Sequence, residues 1–584
     1  MRATHFLLAV FLSLFLMCRT AMAEDNKSSP PLNRQQINRV VTQLPSDPGN
    51  FRVILSIDQI PEVKEPMPVL QLGKVNVAPD AIIRDVLHTV APTATFKPIG
   101  KSGARAVYKN DRLLALINPI TGESQVFPEF ESLKPGASAE QARAVAQRLM
   151  QDKRLFPKDA TQAVPLKAIN LSGLKHARQG ESIAKPSDYL SYVRFQRQVN
   201  GIPVYGPGTR AMIAVGADNS IHAFAHRWKS ATLSSIKVQP YSRDEIAKAV
   251  IAQLAPNTRN GNVRIDKITI AYFDSGKGFI QPVYRFQATL GSPGSERERN
   301  SVAVNGRLVG YVSVGKAPEA LPVLGLSSGI KPTSAPITES NVLEKAAPIG
   351  DPTVGRYVVT NDSGEWVDSA NEFMDGLQSG SSFSHIPFTN KQYFWEVPKI
   401  YKSAKNNYVN NVHIALTEAH GNWGRFSTDK NLVGDPSAIG LADIPSSGYG
   451  GGGGGTLAYW IIHSCEVIPT DTDVSTSFDV WWNIFNGIHA VAGYRTEMWI
   501  DDDVMGDFGY YIGIGAPFVP TWINEVASND SYDDGDTYYD SNRNMNEPMG
   551  RASAVVVCGH SDDMVTHVNS LGRASCLTEW WLNN

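Results

Sequence analysis

The chain has 584 residues, 42% hydrophobic and 19% charged, which is apolar material for two or three globular cores rather than one. A formal charge of −3 provides no global basic field, and this excludes nucleic acid or an anionic membrane surface as the main partner. The N-terminus has Arg2, an apolar stretch from Phe6 to Met17 and Ala21-Met22-Ala23 before Glu24, the three-part layout of a cleavable secretory signal over residues 1–23. No later apolar run approaches the roughly 20 residues that cross a bilayer, so no membrane span is expected and the mature protein is expected to be periplasmic or secreted. Signal removal takes Cys18 and leaves Cys465, Cys558 and Cys576 in a compartment that favours disulfides. Cys558 and Cys576 lie close enough in sequence to bridge, which leaves Cys465 as an odd thiol.

From about residue 75 to 314 one theme repeats, an Ala-rich helix followed by alternating strands. We divide this part into an α+β module over 24–135 and a second α+β region over 136–315. Ser138 to Met150 is periodic as a helix. Ser242 and Glu245 form a capping box ahead of Ile246, Val250 and Leu254 on one face. A shorter helix is expected near Pro79, with Ile82, Val86 and Val90 on one face. The strands that follow alternate apolar and polar residues around Asn-Gly, Gly-Pro-Gly and Asp-Asn turns, which predicts antiparallel sheets. The stretch FQRQVNGIPVYGPGTRAMIAVGADNSIHAF, from Phe195 to Phe224, resembles the fungalysin/thermolysin propeptide and PepSY modules, and residues 266–288 fit the next hairpin of such a region. The resemblance covers about 140–315 and implies a folding-assisting or inhibitory region ahead of a secreted peptidase.

Residues 316–352 are rich in Pro, Ser, Ala and Gly, a linker composition, and separate a C-terminal domain over 353–584. In that domain, Val412, Ile414 and Leu416 lead to His420-Gly421, and Leu457 to Ile462 lead to Ser464-Cys465. Such apolar runs separated by a long crossover read as adjacent buried parallel strands, whose carboxyl edges gather ligands and catalysis. An imidazole beside a thiol lowers its pKa and later protonates a leaving amine. A glycine after the histidine leaves room for the Gly421 and Cys465 N–H groups to hold an oxyanion. The arrangement resembles the caspase, legumain and gingipain superfamily of cysteine peptidases. The resemblance implies an α/β domain with a mostly parallel sheet, a Cys465/His420 dyad with Gly421 beside it, a protein or peptide substrate, and a zymogen-like maturation with no cofactor required. Glu466 departs from the pattern, since a carboxylate beside a thiolate raises the thiol pKa. The alternative is a non-catalytic surface or binding protein on a degenerate form of that fold.

Gly450 to Gly455 is expected to form a mobile loop reaching this site. Phe478, Trp481, Trp482 and Phe485 recur at helical spacing, residues 487–500 read as a third buried strand, residues 515–527 as a helix, and residues 551–560 as another apolar strand. His463, His489 and His560 are expected to be hydrogen-bonded structural histidines, with His489 and His560 as secondary candidates for the site edge. Acid runs lie at 501–507 and 529–542. Asp530, Asp534 and Asp536 are weak calcium candidates, but Tyr532 and Ser541 replace ligands an EF-hand needs; a solvated acidic loop, or a surface drawing in basic side chains, is the other expectation. A metal hydrolase using His413, His420, His463 and Cys465 lacks any paired zinc-ligand spacing.

Overall fold

The computed structural model describes residues 52–583 apart from 74–82, 88–95, 100–103, 120, 153–154, 157, 179–184, 259–261, 291–305, 323, 325–351, 360–364, 385–388, 394–396, 429–437, 471–472, 474–476, 501–503 and 541–542. The segment 1–23 and residues 323 and 325–351 of the expected 316–352 linker lie outside the described residues, as do Ile82 and Val90. Residues 83–87 between them are helical, with Val86 buried.

Period-two patterning builds the N-terminal region into two sheets. Its principal strands are β1 (Met67–Leu72), β2 (Ala104–Lys109), β3 (Arg112–Asn118), β4 (Glu123–Val126), β5 (Ile169–Ala177), β6 (Ser187–Val199), β7 (Ala211–Gly216), β8 (Ile221–His226), β9 (Ala231–Val238), β10 (Val263–Asp274), β11 (Phe279–Leu290) and β12 (Gly306–Ser313). The first sheet runs β2-β3-β4-β8-β7-β6-β5, antiparallel throughout. In the second, β10, β11 and β12 form a meander, β1 meets the start of β11, and β9 pairs with β1. Among the described residues two long helices pack against them. In α1 (Ala139–Leu149) the Ser138 side chain caps the first turn, and in α2 (Arg243–Leu254) the capping box forms as read, Ser242 N–H donating to Glu245 at 2.8 Å and Glu245 N–H to Ser242 Oγ at 3.3 Å. Ile246, Val250 and Leu254 are buried beneath it.

The C-terminal region contains β13 (Thr353–Val358), α3 (Glu365–Ser384), β14 (Thr389–Tyr393), β15 (Ile414–Glu418), β16 (Tyr459–His463), β17 (Ala490–Tyr494), α4 (Val504–Gly513), α5 (Phe518–Ser528), β18 (Ala552–Val557) and β19 (Cys576–Asn583). The order β14-β13-β15-β16-β17 is parallel at every pairing. From there the expectation of a mostly parallel sheet is corrected. β18 runs antiparallel to β17, β19 antiparallel to β18, and β19 then pairs antiparallel with β5 from Cys576↔Ala177 to Asn583↔Asn170. The two regions therefore share one mixed sheet that is mostly antiparallel, with parallel pairing concentrated in one block. An apolar run such as Ala552–Val557 buries equally well in either direction, so composition alone does not reveal its polarity. The aromatic stripe at 478–485 forms one 3-10 turn and one α turn, with Trp481 buried.

Candidate active site

β15 and β16 are in register from Ile414↔Tyr459 to Glu418↔His463. His420 and Cys465 each lie two residues beyond the last pair, so both reach the carboxyl edge. Counted along the chain, the parallel block has the order 2-1-3-4-5, and its switch point falls between β13 and β15, directly beside His420. Trp366 of α3 packs edge-on against both His420 and His463, at 5.3 and 6.1 Å between ring centres, so the two imidazoles share a face of the sheet. On that face His463 Nδ1 lies 2.7 Å from Glu418, and Ser369 Oγ donates to the same carboxylate at 2.8 Å, all three groups being buried.

Gly421 is the joint between the two strand ends. A Cβ there would stand 2.2 Å from both the Cys465 carbonyl oxygen and Ser464 Oγ, so only glycine lets the turn after His420 close on the turn after the cysteine. Gly424 N–H donates to the Glu466 carbonyl at 3.1 Å and holds the two turns together.

Cys465 is 3% exposed, within the main apolar cluster. Its Sγ lies 3.8 Å from the Met498 carbonyl, to which it donates, and accepts from Met498 N–H at 3.4 Å. Burial pushes the thiol far above its usual range and the Glu497 and Glu466 carboxylates add to this, against the Met498 N–H and Arg307. Glu466, flagged as the departure from the peptidase pattern, has a left-handed backbone (φ 50°) and takes a 2.5 Å hydrogen bond from Tyr538 OH. Burial, with Glu497 and Asp540 behind it, pushes its carboxyl up to about 8. At neutral pH Glu466 is therefore mostly protonated, and its side chain turns to Tyr538.

The N-terminal region closes this edge. A Cβ at Gly306, the first residue of β12, would meet the His420 ring at 2.4 Å and Ile500 at 2.8 Å. Ile500 N–H donates to the Arg307 carbonyl at 2.9 Å, and the Arg307 guanidinium pairs with Glu497. Further along the same edge lies a cleft of about 720 Å³, in which Asp473 pairs with Arg495 at 2.8 Å and with Arg543 at 2.7 Å. Arg543 also stacks over Trp423, three residues after His420, at 4.9 Å from the ring centre.

Several expected residues are placed elsewhere. The glycine run precedes β16 and so lies at the amino edge, away from the thiol. It is packed: Gly450 N–H donates to Asn410 Oδ1 at 2.6 Å, Lys405 Nζ to the Gly453 carbonyl at 2.9 Å, and a Cβ at Gly455 would sit 2.0 Å from the Asn410 carbonyl. This corrects the expectation of a mobile loop at the site. Asp530, Asp534 and Asp536 diverge to separate donors of the N-terminal region. Thr209 Oγ1 donates to Asp530 at 2.7 Å and Lys167 N–H to Asp534 at 2.8 Å, while Arg285 and Gln287 reach Asp536 at 2.9 and 2.6 Å. The 529–542 run is a seam against the N-terminal region rather than a solvated loop. His413 Nδ1 accepts from Thr353 N–H at 3.0 Å at the amino end of β15, the opposite end from His420. Cys558 and Cys576 are bridged, and Cys465 is a free buried cysteine. His489 and His560 lie at the amino edge, where both meet Asp563, at 2.6 and 2.8 Å. Asp563 and His567 were missed by sequence reasoning, although the spacing His560-x-x-Asp563-x-x-x-His567 was there to be read.

Among the described residues no helix is long and apolar enough to cross a membrane. Residues 354–552 match the family model DUF6345, a domain of unknown function. No curated protein matches the chain. Among solved structures, an uncharacterized protein from Eubacterium rectale is similar at 12% identity over 43% of this chain and 84% of its own, with a TM-score of 0.27. The Bacillus megaterium YpeB C-terminal domain is similar at 14% identity over 42% of this chain and 95% of its own, with a TM-score of 0.20.

Proposed function

We propose that the chain is an exported, latent cysteine peptidase of the caspase-like kind, with Cys465 as nucleophile and His420 as base, held shut by its own N-terminal region. The observation that carries this reading is the joint placement of His420 and Cys465 at equivalent positions past two paired parallel strands, next to the switch point. In the open form His420 takes the Sγ proton, and the thiolate attacks a peptide carbonyl to form a tetrahedral oxyanion held by the Gly421 and Cys465 N–H groups. Collapse passes the proton from His420 to the leaving amine, and water then releases the acyl group from sulfur. The closed state described above is inactive on physical grounds, because a buried neutral thiol is a poor nucleophile. Opening requires the start of β12, Gly306 and Arg307, to leave His420, Ile500 and Glu497.

The test uses the full chain. Iodoacetamide labelling of Cys465, read by peptide mapping, is expected to be slow in the wild type and faster in Arg307→Ala or after nicking within 316–352. The opened form is expected to label at mildly acidic pH and to cleave a peptide library, both effects being lost in His420→Ala. If the opened, folded protein labels only on denaturation, the reading fails. A second reading, a non-catalytic binding protein on the same scaffold, is favoured by the double engagement of Sγ with Met498. It predicts that Cys465→Ala changes nothing but packing.

A further inference from the structure

The amino edge of the parallel block carries a cluster that the peptidase reading does not use. Asp563 lies between three histidines. Its Oδ2 is 2.6 Å from His489 Nδ1 and 2.8 Å from His560 Nδ1, and its Oδ1 is 3.5 Å from His567 Nδ1. The ligand-capable atoms of His489, His560 and Asp563 all fall within 4.8 Å of one another. His489 comes from the foot of β17. The other three lie on the loop between β18 and β19, which the Cys558–Cys576 bridge closes at its base. The loop backbone is further tied down: Phe518 N–H donates to the Asp563 carbonyl at 2.8 Å, and Tyr459 OH to the Met564 carbonyl at 2.6 Å.

The way His489 is held orients its ring towards the cluster. Its Nε2 lies 2.6 Å from the Asn569 carbonyl, an atom that can only accept, so the ring proton resides on Nε2. The Nδ1 atoms of His489 and His560 converge on the one Asp563 Oδ2, and an imidazole whose far N–H is held by a backbone carbonyl is the usual form of a metal-ligating histidine. His489 is 3% exposed in its side chain, whereas His560 and His567 are 34% and 49% exposed, so one side of the cluster is anchored and the other open to an entering ion.

We propose that His489, His560, His567 and Asp563 form a binding site for a divalent transition metal of the zinc class, pinning the disulfide-closed loop to the amino edge of the sheet. Three imidazoles and one carboxylate suit zinc, cobalt, nickel or copper rather than calcium or magnesium, whose sites are built from oxygen. The nearby cysteines are oxidised and supply no thiolate. The proposal is independent of His420 and Cys465, which lie at the opposite edge.

The experiment is equilibrium dialysis of the oxidised full chain against zinc chloride, with metal content read by elemental analysis and cobalt substitution read by visible absorption. The expected result is one zinc per chain, intense tetrahedral cobalt bands and a rise in Tm with zinc. Asp563→Asn should abolish stoichiometric retention. His567→Ala, at the most exposed position, should leave the fold intact by circular dichroism and weaken zinc at least about tenfold. Wild-type protein that retains no zinc and gains no Tm overturns the proposal, as does zinc retained equally by a folded His560→Ala/His567→Ala variant.

Discussion

Glu466 combines a left-handed backbone, a buried carboxyl and a position next to the odd thiol. Its carboxyl titrates near 8 in the folded chain against about 4.5 when exposed, so the folded state holds a proton that the unfolded state has lost over most of that interval. A raised carboxyl pKa contributes stability that is complete below pH 4.5 and declines as pH rises towards 8, at up to about 1.4 kcal/mol per pH unit. Glu466→Gln keeps an acceptor for Tyr538 and is expected to flatten the stability profile between pH 5 and 8, as measured by urea denaturation at stepped pH. A profile unchanged by the substitution would mean that Glu466 titrates normally. At this scale the sequence was informative: Glu466 was identifiable as anomalous because carboxylate and thiol are adjacent in the chain, whereas its partner Tyr538 is 72 residues away.

The strands leading to His420 and Cys465 could be read from short apolar runs ending in reactive residue types, and the Ser242 capping box from four consecutive residues. The glycine run was misread because composition is the same for a free tether and for a chain packed too tightly to admit a Cβ. Here packing decides. Gly455→Ala drives a methyl onto the Asn410 carbonyl, and overpacking against backbone is expected to cost about 1–3 kcal/mol or more. Gly535→Ala meets nothing within 4 Å and is expected to stay within about 0.5 kcal/mol of wild type. Chemical denaturation midpoints check both, and similar values for the two would contradict the packed geometry.

The two regions are joined by more than the continuity of the chain. Arg210 pairs with Glu525 at 2.6 Å and Asp507 at 3.0 Å, Arg227 bridges Glu123 and Asp507, and Arg285 meets Asp536 with both side chains 1% exposed. None of this was legible locally, since the N-terminal partners of the 529–542 run lie 246 to 367 residues away. Asp536→Ala leaves Arg285 buried without its counter-charge and is expected to cost about 3–5 kcal/mol, while the exposed Asp534→Ala costs little. Both are read from denaturant titrations. The shared sheet also predicts one cooperative unfolding transition, with calorimetric and van't Hoff enthalpies equal; two resolved transitions would mean that the regions are energetically separate. The β5–β19 pairing has a consequence for biosynthesis. β5 leaves the ribosome roughly four hundred residues before the strand that covers its edge, as Leu174↔Glu579 illustrates. Throughout that interval the newborn N-terminal sheet carries an open row of backbone donors and acceptors, the state in which a nascent chain most needs a holding chaperone.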